Sequence, residues 1–176
     1  MKKICINLIE YILNNIINVI PFWYIRKLFY VIFGMKIGKD SKILMRTEVF
    51  APWNIEIKNS VIINEKCLLD GRGGLVIGNN SSISRGVVIY TGTHQPNNFM
   101  YCKKAVNIGE LCWICVNVVI LPGADIGKGS IIGANAVASG KKYPSNGVYV
   151  GVPAVFLHER DITSEYSPGN WSPIFK

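Results

Sequence analysis

A six-residue repeat of branched aliphatic side chains constrains this chain more than any other feature of its sequence. The repeat runs in triplets, which are Ile37, Ile43 and Val49, then Ile57, Ile63 and Leu69, then Ile77, Ile83 and Ile89, then Ile108, Ile114 and Ile120, and lastly Ile126, Ile132 and Ala138. A period of six fits neither an α-helix nor one long strand of period two. It fits short strands joined by tight turns, each strand pointing one large side chain inward. Stacked triplets therefore predict a parallel β-helix, in which each coil buries its apolar residues against its neighbours.

The interruption of this repeat predicts a functional loop. Nineteen positions separate Ile89 from Ile108, whereas the steps elsewhere are six or eight. The interrupted stretch contains His94, and a loop that leaves a rigid scaffold is a frequent place for chemistry. Imidazole is the side chain best matched to proton transfer near neutral pH. From the repeat alone, a solvated loop histidine is the alternative, and the second histidine, His158, is interpreted as an ordinary surface residue.

With these motifs the chain, from Ile37 to Arg160, resembles the hexapeptide-repeat acyltransferases, and within them the branch that acetylates sugars and other hydroxyl acceptors. The resemblance implies a mainly β fold, a left-handed parallel β-helix of about five coils. We assign residues 34–160 to this domain, with an active-site loop at 90–107, N-terminal helices at 1–33 and a tail at 161–176. The left hand follows from the resemblance alone. The resemblance also implies a homotrimer with active sites shared between subunits.

The resemblance assigns the catalytic roles. His94 matches the general base, which takes the proton of the acceptor hydroxyl during direct transfer from acetyl-CoA. Asn64 matches the donor that stabilises the oxyanion, although it equally fits an ordinary turn residue. Asp70 is a candidate for orienting the acceptor or holding the imidazole, with turn capping as the alternative. Arg72 is a candidate for binding a sugar or an acidic group, at a place where sugar-acetylating relatives often have an acid.

The resemblance also places the coenzyme along the later coils. Trp113 matches the tryptophan of a Trp-Ile-Gly motif that flanks the cofactor groove, with ordinary packing as the alternative. The closing segment Gly151-Val-Pro-Ala154 matches the end of the family's domain. The remaining residues expected to contact acetyl-CoA are Gly133, Ala134, Ser139, Lys141 and Lys142, the two lysines as point charges for phosphate.

Cysteines and charge exclude several other classes. Cys112-Trp-Ile-Cys115 has the spacing of a redox or zinc pair, but Cys112 falls on a small inward position of the repeat and a second pair is missing. A carbonic-anhydrase-like metal site needs about three histidines, and the chain has two, so no metal is expected. The net charge of +8 comes without a nucleic-acid-binding module, which favours coenzyme phosphates or a membrane over nucleic acid.

The first 33 residues do not follow the repeat. Apolar residues recur every four positions from Ile4 to Ile20, which predicts an amphipathic helix ending at Pro21, followed by an aromatic-rich segment at 22–33. Asparagines and Glu10 argue against a spanning helix. Two interpretations stay open. The helices lie in a membrane interface, with Lys2, Lys3, Arg26 and Lys27 towards the headgroups, or they cap the β-helix or pack in an oligomer.

The sequence therefore predicts an O-acetyltransferase that acts on a saccharide or glycan precursor, with a lipid-linked acceptor suggested by the helices alone. A convincing secretory cleavage site is missing, which favours the cytoplasm, with peripheral contact at the inner membrane face. A soluble enzyme for a free sugar, serine or an antibiotic is the nearest alternative. A non-catalytic β-helix scaffold is the alternative of another class, because a fold does not by itself settle function.

Overall fold

The repeat forms a parallel β-helix in the computed structural model, which describes residues 2–162 and 167–170. Five coils are complete and a sixth is partial. The first two coils consist of β1 (Lys36–Ile37), β2 (Lys42–Ile43), β3 (Glu48–Phe50), β4 (Ile55–Ile57), β5 (Ile62–Ile63) and β6 (Leu68–Asp70). The third coil and the loop hairpin that follows it are β7 (Leu75–Ile77), β8 (Ser82–Ile83), β9 (Val88–Ile89), β10 (Gly92–His94) and β11 (Tyr101–Lys103). The later coils consist of β12 (Val106–Ile108), β13 (Trp113–Ile114), β14 (Val119–Ile120), β15 (Asp125–Ile126), β16 (Ile131–Ile132), β17 (Val137–Ala138), β18 (Lys142–Tyr143) and β19 (Gly147–Val150).

Three parallel sheets form the walls of this prism, and their register follows the sequence repeat. Sheet A has the order β1-β4-β7-β12-β15-β18, sheet B begins β2-β5-β8-β13-β16-β19, and sheet C is β3-β6-β9-β14-β17. In sheet B, Ile63 pairs with Ile83 and Ile114 pairs with Ile132, so that the repeated residues stack directly above one another. The stack of sheet A ends in Tyr143 and that of sheet B ends in Tyr149. The core is therefore a column of aliphatic side chains closed by two tyrosines.

The corners of the prism explain why six residues suffice per side. A residue with positive φ lies three positions after the repeated residue in sheets A and B, for example Asp40 at 58°, Ser60 at 53° and Asn80 at 56°. A residue in this left-handed conformation turns the chain sharply from one wall of the prism to the next. Asn and Asp tolerate the conformation better than other side chains. We name the corners by the sheets they join. The B–C edge comprises residues 44–47, 64–67, 84–87, 115–118 and 133–136, and the C–A edge comprises residues 51–54, 71–74, 90–105, 121–124 and 139–141.

The outer faces of the three sheets differ in polarity. On sheet A the outward ladder is polar for most of its length and runs Lys36, Glu56, Val76, Asn107, Asp125, Lys142. On sheet C it is apolar after the first coil and runs Glu48, Leu68, Val88, Val119, Val137. On sheet B it is largely apolar and runs Lys42, Ile62, Ser82, Trp113, Ile131, Val148. Two adjacent outer faces of the prism are thus apolar, and the third suits water.

Two helices close the first coil. They are α1 (Lys2–Asn15) and α2 (Trp23–Ile32), joined by a 3₁₀ turn at Ile17–Val19, so the first helix ends before the predicted boundary at Pro21. The side chain of Asn14 behaves like an added strand, because its amide donates to the Val49 carbonyl at 2.9 Å and its oxygen accepts from the Val49 N–H at 2.8 Å. Polar residues of α1 therefore satisfy the open edge of sheet C, and the helices do cap the β-helix.

Arg26 does not reach a headgroup position, as the membrane interpretation had expected. Its side chain is fully buried in the cap, where Nη2 donates to the Ile43 carbonyl at 2.9 Å and Nη1 donates to the Ile20 carbonyl. Burial lowers the pKa of Arg26 from its ordinary value, although the neighbouring Tyr30 opposes this. The guanidinium thus fastens α2 to the first coil. Within the described part of the chain, no helix is long and apolar enough to cross a bilayer.

The other end of the prism is closed by aromatic rings and by β20 (Val155–Glu159), which pairs antiparallel with β19. The rings of Tyr143 and Tyr149 meet edge to face at 5.1 Å, and Phe156 lies 5.9 Å from Tyr149. Arg160 then donates to the carbonyls of Leu111 at 2.9 Å and Gly129 at 3.0 Å, so this cation pins the start of the tail. Of the tail predicted at 161–176, only 161–162 and 167–170 are described.

Candidate active site

The interruption of the repeat is an antiparallel hairpin at the C–A edge. Strands β10 and β11 pair Gly92 with Lys103 and His94 with Tyr101. The His94 side chain is exposed, and its ring meets Tyr101 edge-on at a centroid distance of 5.5 Å. Gly92 leaves room for the Tyr101 hydroxyl at the base of the hairpin, because a Cβ there would displace that group. The hairpin therefore presents an accessible imidazole on a short, paired stem.

Asp70 anchors this hairpin to the coil beneath it. Its side chain is 0% exposed, and Oδ2 accepts hydrogen bonds from the N–H groups of Thr91 at 2.9 Å and Gly92 at 3.1 Å. Oδ1 accepts from the Arg72 N–H at 2.9 Å and from Arg72 Nε at 2.8 Å. Burial by itself would raise the pKa of Asp70, but the hydrogen bonds from Arg72 and Thr91 outweigh it and hold the pKa below its usual value. The carboxylate is thus a charged clamp, and its buried position favours positioning of the hairpin over contact with substrate.

Arg72 lies between the hairpin and the first coil. Its guanidinium forms a bidentate ion pair with Asp70, with Nη2 at 3.0 Å from Oδ2. The same group lies over the ring of Phe50, with Cζ 5.6 Å from the centroid. Hydrogen bonding to Asp70 raises the pKa of Arg72 above its ordinary value. A side chain that is 39% exposed leaves part of this cation available beside the hairpin.

Thr91 is a residue of this site that sequence reasoning missed. It is fully buried, its hydroxyl donates to the Asp70 carbonyl at 2.9 Å, and the same oxygen accepts from the Gly73 N–H at 2.7 Å. These bonds connect the coil below the hairpin to Thr91, where the chain leaves the coil to form the hairpin. The signal in the sequence was the position of Thr91, two residues after Ile89, the last repeated residue before the interruption. A hydroxyl group at such a position can hold the start of a loop.

Asn64 and the hairpin lie at the two different corners that flank the strands of sheet C. Asn64 is on the B–C edge, where its side-chain amide donates to the Ile83 carbonyl at 2.9 Å. The hairpin leaves the C–A edge, and one whole strand of sheet C separates the two corners. Six residues of extended chain, at about 3.3 Å each, would span up to roughly 20 Å. Asn64 and the base of the hairpin therefore lie at different corners of the prism.

The residues predicted for the coenzyme divide in the same way. Trp113 is 47% exposed on the outer face of sheet B, and its indole N–H donates to the Ser84 hydroxyl on the B–C edge at 3.1 Å. Gly133 and the exposed Ala134 lie on that edge as well, one coil further along. Asn64, Trp113, Gly133 and Ala134 thus form one group, which we call the B–C group.

Of the other predicted coenzyme residues, two belong with His94 and one lies apart. Ser139 lies on the C–A edge with its hydroxyl 3.3 Å from that of Tyr143. Lys141 is exposed and its ammonium lies 5.3 Å from the Tyr143 ring centroid. Lys142 is exposed on the outer face of sheet A beside Asp125. Together with Asp70, Arg72 and His94, Ser139 and Lys141 make up the C–A group.

The cysteine pair considered from the sequence does not have the properties of a redox site. Cys112 is buried in the core, and burial raises the pKa of its thiol to about 11. Cys115 is half-buried, and burial raises its pKa as well. Both are free thiols. Among the residues that the structure describes, His, Cys, Asp and Glu form no cluster of three or more that could hold a metal ion.

Comparison with known proteins identifies relatives of the chain, although no protein-family model matches it. The protein named "Putative colanic acid biosynthesis acetyltransferase WcaF" of Escherichia coli is 33% identical over 131 residues. That match covers 73% of this chain and 71% of the relative.

Solved structures share the fold. A hexapeptide-repeat acetyltransferase from Vibrio cholerae superposes with a TM-score of 0.80 at 24% identity, covering 89% of this chain and 93% of that one. The same protein has been solved with acetyl coenzyme A. A galactoside acetyltransferase in complex with coenzyme A superposes with a TM-score of 0.77 at 22% identity, covering 94% of this chain and 87% of that one.

Proposed function

The chain belongs to the hexapeptide-repeat acetyltransferases, and from that premise we propose that it transfers acetyl from acetyl-CoA to a hydroxyl group of a saccharide. The observation that carries the proposal is the exposed imidazole of His94 on a hairpin whose base is clamped by the buried carboxylate of Asp70. A solvated loop histidine would not need such an anchor. Relatives named for colanic acid biosynthesis and for galactoside acetylation support a saccharide acceptor.

The proposed reaction is a direct transfer. His94 accepts the proton of the acceptor hydroxyl while that oxygen adds to the thioester carbonyl, which forms the C–O bond of a tetrahedral intermediate; collapse of this intermediate then breaks the C–S bond. The thiolate of coenzyme A leaves and takes up a proton, which the imidazolium can return. General base catalysis of this kind contributes about 10²–10⁴-fold. The oxyanion of the tetrahedral intermediate needs a donor such as the Asn64 amide.

Because one chain holds these groups at opposite ends of sheet C, we propose that the enzyme is a homotrimer with composite sites. The outer faces of sheets B and C are both apolar and share the B–C edge. A cyclic trimer can bury part of these apolar faces between subunits. A composite site then requires the C–A edge of one subunit to lie beside the B–C edge of its partner, so that each cleft combines the C–A group of one subunit with the B–C group of the other.

Mixed trimers test this arrangement. His94→Ala and Asn64→Ala subunits are co-expressed with different affinity tags, and trimers carrying both tags are purified. A composite site predicts recovered activity, since the His94 of one variant meets the partner subunit's Asn64 in some clefts. If both residues acted within one chain, every site in the mixture would lack one of them and activity would stay at the level of the single variants.

We further propose that the enzyme associates peripherally with a membrane and takes a lipid-linked glycan there. The helical cap exposes large apolar side chains, which are Ile4, Ile6, Leu8, Tyr11, Ile16, Val19, Phe22, Tyr24, Ile25, Leu28, Val31 and Ile32. Residues 1–50 also contain eight of the 19 Lys and Arg residues but only three of the 11 acidic residues. Two copies of such a basic end would repel each other, whereas an anionic bilayer complements it.

Flotation with lipid vesicles tests the membrane proposal. Wild-type protein is expected to float with phosphatidylcholine vesicles that contain phosphatidylglycerol, and less so in high salt. Leu28→Glu combined with Ile32→Glu should stay in the soluble fraction, because both side chains are exposed on the cap. Val152→Glu with Leu157→Glu adds the same charge at the opposite end and serves as the control. Wild-type protein that stays soluble would instead favour an enzyme for a free small molecule.

The transfer reaction is tested by acceptor-dependent release of free thiol from acetyl-CoA. The acceptors are monosaccharides, colanic acid oligosaccharides and lipid-linked glycans, with serine and an aminoglycoside as representatives of the alternative. We expect release with saccharides only. Release with serine or the aminoglycoside would replace the proposed acceptor class. Binding of acetyl-CoA without release would retain the donor but remove the acceptor, and a complete lack of binding would favour a scaffold.

A further inference from the structure

A groove of about 430 Å³ lies between the first helix and the first strand of sheet C. Its size is within the range of about 300–1,000 Å³ that is typical of small-ligand sites. Hydrogen bonds fix the two walls of the groove relative to each other. Asn14 holds α1 to Val49, and Glu10 accepts a hydrogen bond from the Ala51 N–H at 3.0 Å. It lies outside both groups of residues assigned to the transfer reaction.

The lining of this groove has the chemistry that recognises a sugar. Tyr11, whose side chain is 60% exposed, and the half-buried Phe50 offer aromatic surface. Asn7, Asn15 and Glu48 offer planar amide and carboxylate groups. A pyranose has an apolar face of C–H groups that packs on an aromatic ring and a rim of hydroxyls that such planar groups can pair with.

Charge separates this groove from a phosphate site. The described residues that line it include two carboxylates, Glu10 and Glu48, and no Lys or Arg. An anionic ligand such as the coenzyme phosphates would be repelled there. A neutral saccharide is compatible with both carboxylates, which accept hydrogen bonds from its hydroxyls.

One end of the groove is directly connected to the hairpin. Phe50 is the register partner of Asp70 on the next coil, and the Arg72 guanidinium lies over the Phe50 ring. Asp70 in turn accepts hydrogen bonds from Thr91 and Gly92, three and two residues before His94. A linear ligand that leaves the groove past Phe50 therefore runs towards the imidazole.

We propose that this groove binds additional sugar units of the acceptor, so that the enzyme prefers an oligosaccharide or a longer glycan over a free monosaccharide. The inference rests on the proposed saccharide acceptor and deepens it. The unit to be acetylated lies at His94, and the units beyond it occupy the groove between α1 and β3. The groove is also next to the exposed face of the cap, so a glycan carried by a lipid could enter it from a membrane.

Binding to an array of bacterial surface oligosaccharides of increasing length tests the proposal without requiring turnover. The matched pair is Tyr11→Ala, which removes a ring from the groove, and Leu8→Ala, which truncates an exposed neighbour on α1 outside it. We expect wild-type binding to strengthen with chain length. We expect Tyr11→Ala to weaken it roughly tenfold, which is the effect of losing one aromatic contact. Leu8→Ala should bind like the wild type.

Three results would overturn the inference: binding that does not depend on length, binding that is unchanged in Tyr11→Ala, or a lack of binding to every glycan. Thiol release measured on the same proteins keeps the two proposals apart. If monosaccharides are acetylated equally well by wild type and Tyr11→Ala while no oligosaccharide binds, the groove proposal fails and the transfer reaction stands. If longer acceptors lower KM in the wild type but not in Tyr11→Ala, both are supported.

Discussion

Replacing Asp70 by Asn removes the charge of the clamp while keeping its shape, and the hairpin should loosen as a result. The two carboxylate oxygens accept from five donors, which are the N–H groups of Arg72, Thr91 and Gly92 and two guanidinium nitrogens of Arg72. An amide has one oxygen, so its NH₂ group must face at least two of these donors. Hydrogen bonds to charged groups contribute about 1.5–3 kcal/mol each. The structure therefore predicts a loss of at least about 3 kcal/mol.

This loss should appear at the hairpin before it appears elsewhere. A change of about 3 kcal/mol raises the population of locally open hairpin roughly a hundredfold. Hydrogen exchange followed by mass spectrometry should show that increase in peptides covering residues 91–103, and kcat for thiol release should fall while acetyl-CoA affinity is retained. Asp125→Asn, an exposed acid on sheet A, is the control. Wild-type exchange and wild-type kcat in Asp70→Asn would show that the Asp70 carboxylate does not hold the hairpin in place.

The depressed pKa of Asp70 adds a pH dependence to this prediction. A carboxyl group whose pKa is lower in the folded protein stabilises the fold fully above the unfolded value of about 3.9. That stabilisation is lost as the pH falls through the folded pKa. Acidification should therefore increase hairpin exchange in the wild type, after correction for the intrinsic exchange rate, and should have a smaller effect in Asp70→Asn.

Three further predictions concern the ends and the wall of the prism. Arg26→Met leaves carbonyls of the cap without their donor and should lower the free energy of unfolding by about 2–4 kcal/mol. Limited proteolysis should then cut first within residues 1–33, and an unchanged Tm would contradict this. Cys67 and Cys112, whose thiol pKa values burial raises to about 12 and 11, should resist iodoacetamide until the protein unfolds, and rapid labelling at pH 8 would show that the core is open. Trp113→Ala should weaken acetyl-CoA binding about tenfold in calorimetry, whereas the control Trp53→Ala should not. Equal affinities of the wild type and Trp113→Ala for acetyl-CoA would show that Trp113 is not part of the coenzyme site.

The architecture was predictable because one side-chain stack specifies it. Every repeated position from Ile43 to Ala138 is buried, and each pairs in register with its counterpart on an adjacent coil. The sixth partial coil escaped the pattern because Tyr143 and Tyr149 replace the aliphatic residues at its two positions. Aromatic rings fit there only because no further coil has to stack on them.

The helical cap was predictable as helix but not in its orientation. A helical pattern shows which residues share a face, and the apolar face would ordinarily be placed against the core. Here Glu10 and Asn14 lie towards the first coil beside the buried Leu13, because the open edge of sheet C offers backbone groups that need partners. The exposed apolar side chains follow from that choice, and a single-sequence pattern contains no information about an unpaired edge elsewhere.

The candidate site was predictable residue by residue but not as an arrangement. His94 could be identified because it interrupts a regular pattern, whereas the clamp formed by Asp70 and Thr91 depends on contacts across coils. The separation of the B–C group from the C–A group also emerges only when the strands are assigned to sheets. In the proposed homotrimer the two groups meet only between subunits, which sequence spacing does not report.

The central claim is that His94 is the general base of an acetyl transfer, and its direct test is acceptor-dependent thiol release by His94→Ala. This role predicts that kcat falls by about 10²–10⁴-fold, while acetyl-CoA affinity stays at the wild-type value. His158→Ala, the other histidine, should retain full activity. A His94→Ala enzyme that releases thiol at the wild-type rate with the same acceptor would contradict the claim.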